Sequence, residues 1–160
     1  MTIAFTPAEL YNIAISVERR GAAFYDTLAR TCTSDGMKQA FLALATMEHQ
    51  HIQTFQKLLA AAPSGFSEGV NDEEYGAYFQ ALVESSVFNN DFATSELVTK
   101  VDTDSEAIEI GMGAEKDSIL FYEQLRDIVA GNAADDIARI ISEEKAHLRK
   151  LAEIKAGLSS

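Results

Sequence analysis

Two short strings in this sequence set a carboxylate and an imidazole three residues apart: Glu48-His49-Gln50-His51 and Glu144-Lys145-Ala146-His147. On a helix, residues at i and i+3 share a face, so each string can aim a Glu and a His at one point. Two further acids, Glu18 and Glu115, precede these strings at nearly the same offset. All six residues fall on apolar stripes rather than on polar faces. The first stripe reads Leu10, Ala14, Glu18, Gly21, Tyr25, Leu28, and the second Phe41, Leu44, Glu48, His51, Phe55, Leu58. The third reads Ile108, Gly111, Glu115, Tyr122, Leu125, and the fourth Ile137, Ile140, Glu144, His147, Leu151, Ile154.

Four carboxylates turned into one core are costly unless something compensates them. Two divalent cations would balance the four negative charges, and neutral imidazoles would add donors without adding charge. Oxygen-rich donors with some imidazole suit iron or manganese better than thiolate-preferring metals. The competing reading is a satisfied buried polar network. That reading accounts for one inward acid more easily than for two matching sets. The six residues Glu18, Glu48, His51, Glu115, Glu144 and His147 are therefore the expected metal ligands.

The elements that would position them read as long helices. Only two prolines and nine glycines interrupt 160 residues, and Ala, Leu, Ile and Glu are abundant, which favours helix over sheet. Thr6-Pro7-Ala8-Glu9 is a capping box with proline in the first turn, and it predicts a helix running to about Arg30. After a short connection, a second helix is expected from about Gly36 to Ala61, stopped by Pro63-Ser64-Gly65. Thr103-Asp104-Ser105-Glu106 opens a third helix to about Ala130, ended by Gly131-Asn132. A fourth runs from about Ala133 to Gly157. Between the hairpins, Tyr75, Tyr78, Phe79, Leu82 and Val83 predict a short accessory helix near 72–87, with another near 94–100. The expected fold is all-α: a four-helix bundle of two hairpins joined by a long crossover, as one domain over residues 1–160.

The hairpins also resemble each other. Glu18 to Leu28 reads ERRGAAFYDTL, and Glu115 to Leu125 reads EKDSILFYEQL. Shared core packing explains repeated Leu and Ala, but not a repeated Glu at the same place on an apolar stripe. An internal repeat of one hairpin implies an approximate two-fold axis through the bundle.

Other reactive residues carry less. His49 and Glu143 lie off their stripes and read as surface residues. Tyr25 and Tyr122 lie two turns beyond Glu18 and Glu115, and are either donors to the ligands or core tyrosines. Met37, Met47 and Met112 read as core filling. The one cysteine, Cys32, offers neither an internal disulfide nor a cysteine-rich site. A formal charge of −12 argues against nucleic acid and anionic lipid as partners. No signal peptide or membrane span is visible, so a cytoplasmic protein is expected.

The strings ERRGAAFY, EHQH, EKDSILFY and EEKAH together resemble the rubrerythrin family of ferritin-like proteins over nearly the whole chain. Their donor set coincides with the established pattern of ferritin-like di-iron and di-manganese bundles. The resemblance implies two iron ions, with manganese or a mixed pair as alternatives. It places Glu18 and Glu115 as terminal carboxylates, Glu48 and Glu144 as bridging ones, and His51 and His147 as the nitrogen ligands. It also implies reaction with peroxide or dioxygen, and a homodimer, with or without exchanged helices. The sequence departs from the family at two points. One cysteine cannot build a rubredoxin-type Fe(Cys)4 site, so electrons must come from a separate protein. Ser118 stands one turn after Glu115, where a further carboxylate is expected.

Two functions follow, beside a scaffold whose site is empty or filled only for stability: a peroxide or dioxygen reductase fed by an external electron donor, which is favoured, or an iron-oxidising storage or hand-over protein without turnover. The two differ in whether a supplied reductant sustains repeated cycles.

Overall fold

A computed structural model describes residues 5–62, 73–85, 103–129 and 131–158, and these form five helices and no strands. Helix α1 (Pro7–Thr31) begins at the expected capping box: Thr6 Oγ1 accepts the Glu9 N–H at 3.2 Å, and Glu9 Oε2 accepts the Thr6 N–H at 2.7 Å. These bonds occupy donors that a helix start leaves free. Extended backbone at Cys32 ends α1, and Ser34 caps α2 (Asp35–Ala60) through the Met37 N–H. So short a connection forces α2 back along α1 as an antiparallel partner.

The accessory helix is α3 (Glu73–Ser85). Its Phe79 is buried against Phe121, with ring centroids 4.9 Å apart, and against Phe5 at 5.5 Å. Tyr78 faces outward. The second expected short helix, 94–100, and the Pro63-Ser64-Gly65 stop lie outside the described residues.

Thr103 caps α4 (Asp104–Ile128) by accepting the Glu106 N–H at 3.2 Å. The helix stops earlier than the sequence suggests, because Val129 is already extended. Gly131 then takes φ +63°, a left-handed conformation that glycine adopts without penalty, and α5 (Asn132–Leu158) follows. The helices pair most extensively as α1 with α2 and α4 with α5, and α3 lies on α4.

Two apolar clusters fill the bundle. One gathers Leu10, Phe55, Tyr122, Leu125, Ile137 and Ile140, and the other Phe24, Leu28, Phe41, Leu44, Ile108 and Leu151. The inward acids and histidines form a polar layer between these ends. No described helix is long and apolar enough to cross a membrane.

Candidate metal centre

The four long helices each bring one inward carboxylate to this layer, and α2 and α5 each add a histidine. Glu18, Glu48, Glu115 and Glu144 are at most 3 % exposed, His51 1 % and His147 5 %. Their donor atoms fall into two groups, each within 4.8 Å: Glu18, Glu48, His51 and Glu144, and Glu48, Glu115, Glu144 and His147. Glu48 and Glu144 belong to both. His51 Nδ1 lies 2.8 Å from Glu144 Oε1, 3.3 Å from Glu48 Oε2 and 3.5 Å from Glu18 Oε2. His147 Nδ1 lies 3.3 Å from Glu144 Oε2, 3.5 Å from Glu48 Oε1 and 3.6 Å from Glu115 Oε2. The two rings are nearly parallel, with centroids 5.6 Å apart.

The tyrosines settle as donors to these acids, but across the bundle rather than along their own helices. Tyr25 on α1 donates to Glu115 Oε1 on α4, and Tyr122 on α4 donates to Glu18 Oε1 on α1. A residue on the same stripe two turns away is too far to reach its own glutamate, whereas the facing helix brings the other one within range. Burial first, and then the neighbouring carboxylates, push both hydroxyls well above the usual phenol range, which keeps them as donors.

Charge within the layer is arranged by the same proximity. Burial, then the Glu48 and Glu144 charges, raise Glu18 well above the carboxylate range. Burial and a hydrogen bond to Glu144 do the same to Glu115. Burial also opposes ionisation of Glu48 and Glu144, but bonds from Glu18 and the histidines hold Glu48 low, and bonds from Glu115 and the histidines hold Glu144 low. Burial works against a charged imidazole too. Bonds to Glu144, Glu18 and Glu48 overcome it at His51, and bonds to Glu115, Glu144 and Glu48 push His147 up to about 12. Glu18 and Glu115 thus hold their protons more tightly than free carboxyls, and both imidazoles favour the charged form.

The layer fits a pair of divalent cations. His51 Nδ1, His147 Nδ1 and Glu144 Oε1 are buried and close together, yet none has a partner in good hydrogen-bond geometry; both nitrogens face the shared carboxylates, and Glu144 Oε1 belongs to one of them. Buried polar atoms in that condition are rare without a ligand to receive them. Two divalent cations carry four positive charges, which would balance the four carboxylates once ionised and leave the core neutral.

Sequence reasoning missed Glu143. It lies off the α5 stripe and reads as a solvated acid, yet its Oε2 lies 2.9 Å from His51 Nε2. Periodicity within one helix cannot reveal it, because its partner is on α2. His49 does face outward, 3.8 Å from Asp26. Met47, read as core filling, is half-exposed and lines a cleft beside His147, whereas Met37 is buried.

None of the curated proteins matches this chain in sequence. Among solved structures, it is similar to a protein from Thermotoga maritima described as a ferritin-like diiron-carboxylate protein. The two share 28 % identity and a TM-score of 0.76, over 98 % of each chain. The model of the Rubrerythrin family matches residues 9–155, a span that takes in the polar layer and every helix that builds it. With its paired hairpins and doubled Glu/Glu-x-x-His donors, the chain belongs to the Rubrerythrin family.

Proposed function

We propose that this chain is a non-haem di-iron oxidoreductase that reduces peroxide or dioxygen with electrons from a separate donor protein. One iron would be held by Glu18, Glu48, His51 and Glu144, and the other by Glu48, Glu115, Glu144 and His147. The observation that carries the reading is the pair of buried donor groups sharing two carboxylates, with three orphaned atoms among them. The diiron-carboxylate description of the Thermotoga protein supports it.

When bound, a ferrous pair supplies two electrons and adjacent positions for the substrate's oxygens. The protein's own groups do the rest. Glu48 and Glu144, common to both donor groups, set the spacing of the two positions. Tyr25 and Tyr122 hold the outer oxygens of Glu115 and Glu18 in place. The apolar clusters at either end keep bulk water out, which strengthens electrostatic control inside.

The acids border free space on the α1–α4 side. There a recess of ≈ 10 Å³ is lined by Val17, Gly21, Ala114 and Ser118 along with the acids. That is room for about one water-sized molecule, which favours a small oxidant such as dioxygen or peroxide over a bulky substrate. Gly21 contributes by omission: a Cβ there would lie 3.6 Å from Glu48 Cγ and Cδ, filling space beside a shared carboxylate.

The test is an anaerobic, reduced, iron-loaded sample mixed with peroxide or dioxygen while a reductant or redoxin is supplied. Many turnovers per chain are expected. A single stoichiometric oxidation that then stops would overturn the reductase reading, and iron loading far beyond two per chain would place the protein with iron storage instead. A homodimer is the assembly expected in solution, read by light scattering.

A further inference from the structure

The two histidines meet different surroundings behind the metal layer. His51 Nε2 has a carboxylate partner, Glu143 Oε2, at 2.9 Å. His147 Nε2 is buried and has no hydrogen-bond partner. The pseudo-two-fold explains what is missing. Glu143 immediately precedes Glu144 on α5, and the matching position on α2, immediately before Glu48, is Met47. Met47 cannot accept strongly from an imidazole N–H. It lines, with Glu143, Ala146, Lys150 and His147 itself, a cleft of ≈ 260 Å³ between α2 and α5. One imidazole thus has a carboxylate partner behind it, and the other has none.

A carboxylate behind a metal-binding imidazole fixes the ring, selects the tautomer and makes the ligating nitrogen more basic. Here the bond to Nε2 leaves Nδ1 as the free donor, and Nδ1 is the atom turned toward Glu18, Glu48 and Glu144. Glu143 lies in the same cleft as His147, but its Oε2 is within hydrogen-bond distance of His51 alone. His147 has no such partner at Nε2.

We propose that Glu143 is a positioning residue that makes the two metal positions unequal. The position of Glu18, Glu48, His51 and Glu144 fills first and holds its ion more tightly, and the His147 position fills second and gives its ion up first. This rests on the two-metal reading of the site and adds an order to it.

The test titrates cobalt(II) anaerobically into the metal-depleted full-length chain and follows the histidine ring protons by NMR. The chain has three histidines, and a His49→Gln variant removes the exposed one from the spectrum. The first equivalent is expected to shift the His51 ring and the second the His147 ring, in two resolved steps. Glu143→Leu should weaken the first step by about 10–100-fold and merge the two. Glu143→Gln keeps an oxygen acceptor and should retain most of the separation, a rescue that a purely structural role would not give. Met47→Glu supplies the missing partner and should tighten the second step.

Simultaneous filling with both rings shifting together, filling of the His147 position first, or unchanged steps in Glu143→Leu would each overturn the proposal. If Glu143→Leu does not fold, as judged by circular dichroism, Met47→Glu decides alone, and an unchanged second step overturns it. Failure to bind cobalt at either ring is a different result, because it removes the metal centre itself.

Discussion

On the α1–α2 side of the polar layer, Glu18 receives a hydroxyl from Tyr122; on the α4–α5 side, Glu115 receives one from Tyr25. Each tyrosine packs edge-on against the phenylalanine before it, with centroids 5.4 Å apart in both hairpins. One layer further out, the correspondence fails. Gly21 faces Ser118, Ala14 matches Gly111, and Met47 matches Glu143. The difference shows where the constraint lies. Atoms that balance charge in the buried layer admit few substitutes, because each lost donor leaves a buried polar group unpaired. Positions behind them need only fill volume, so the two hairpins differ there, and the function of each half can differ with them.

The largest expected effects come from breaking the shared atoms. Glu48→Ala and Glu144→Ala each remove a ligand from both donor groups, so each should abolish binding at both positions. Glu18→Ala and Glu115→Ala each damage one group and should leave about one ion per chain. Metal analysis after dialysis against excess iron(II) under anaerobic conditions reads both. If all four variants lose metal equally, the division into two overlapping groups is wrong. If Glu48→Ala and Glu144→Ala keep full metal content, the site is wrong.

Proton release tests the same symmetry in solution. Without metal, Glu18, Glu115, His51 and His147 are all raised above their ordinary values, so each favours a bound proton with which a cation must compete. Glu48 and Glu144 are lowered and are already ionised, so they release none. The sign follows: metal competes with protons, so affinity rises with pH and falls as pH drops. Each ion should expel about two protons, one from a carboxyl and one from an imidazole. Calorimetry in buffers of different ionisation enthalpy measures the number. Two ions that release markedly unequal numbers would show that the halves differ within the buried layer and not only behind it.

The donors were legible in the sequence because they violate the stripe they occupy. A Glu among Leu10, Ala14 and Leu28 is not explained by core filling, and the same violation in EKDSILFY marked the two hairpins as repeats. The helix ends were legible where a cap announced them, as at Thr6 and Thr103. The end of α4 was not, since Val129 carries no stop signal and turns extended ahead of the glycine. Glu143, and the crossing of Tyr25 and Tyr122 to the opposite glutamates, were not legible either. Those contacts depend on how the hairpins face each other, which no single-helix period encodes.

Tyrosine removal should cost less than ligand loss and should be matched across the axis. Tyr25→Phe and Tyr122→Phe each leave a buried carboxyl oxygen without its donor, at about 1–3 kcal/mol. Chemical denaturation of the metal-free variants measures this. Similar costs support the equivalence of the two inner layers. A negligible cost at one tyrosine would mean that its glutamate finds another donor.

The smallest effect belongs to a position where the halves already differ. Gly111 has no Cβ because one there would lie 3.3 Å from the Tyr25 hydroxyl and 3.3 Å from Leu151 Cδ1. At the matching place on α1, Ala14 is accommodated and fully buried. Gly111→Ala gains roughly 0.5–1 kcal/mol of helix preference, but overpacking costs roughly 1–3 kcal/mol. The net should be a loss of about 1 kcal/mol. Leu151 can yield by rotating; Tyr25 cannot yield without leaving Glu115. The tyrosine hydroxyl should therefore carry most of the penalty. In a Tyr25→Phe background, the same Gly111→Ala change should become neutral or stabilising, a coupling that a double-mutant cycle in urea resolves. An unchanged penalty there would assign the clash to Leu151, and would make the glycine a matter of core volume rather than of the bond that holds Glu115.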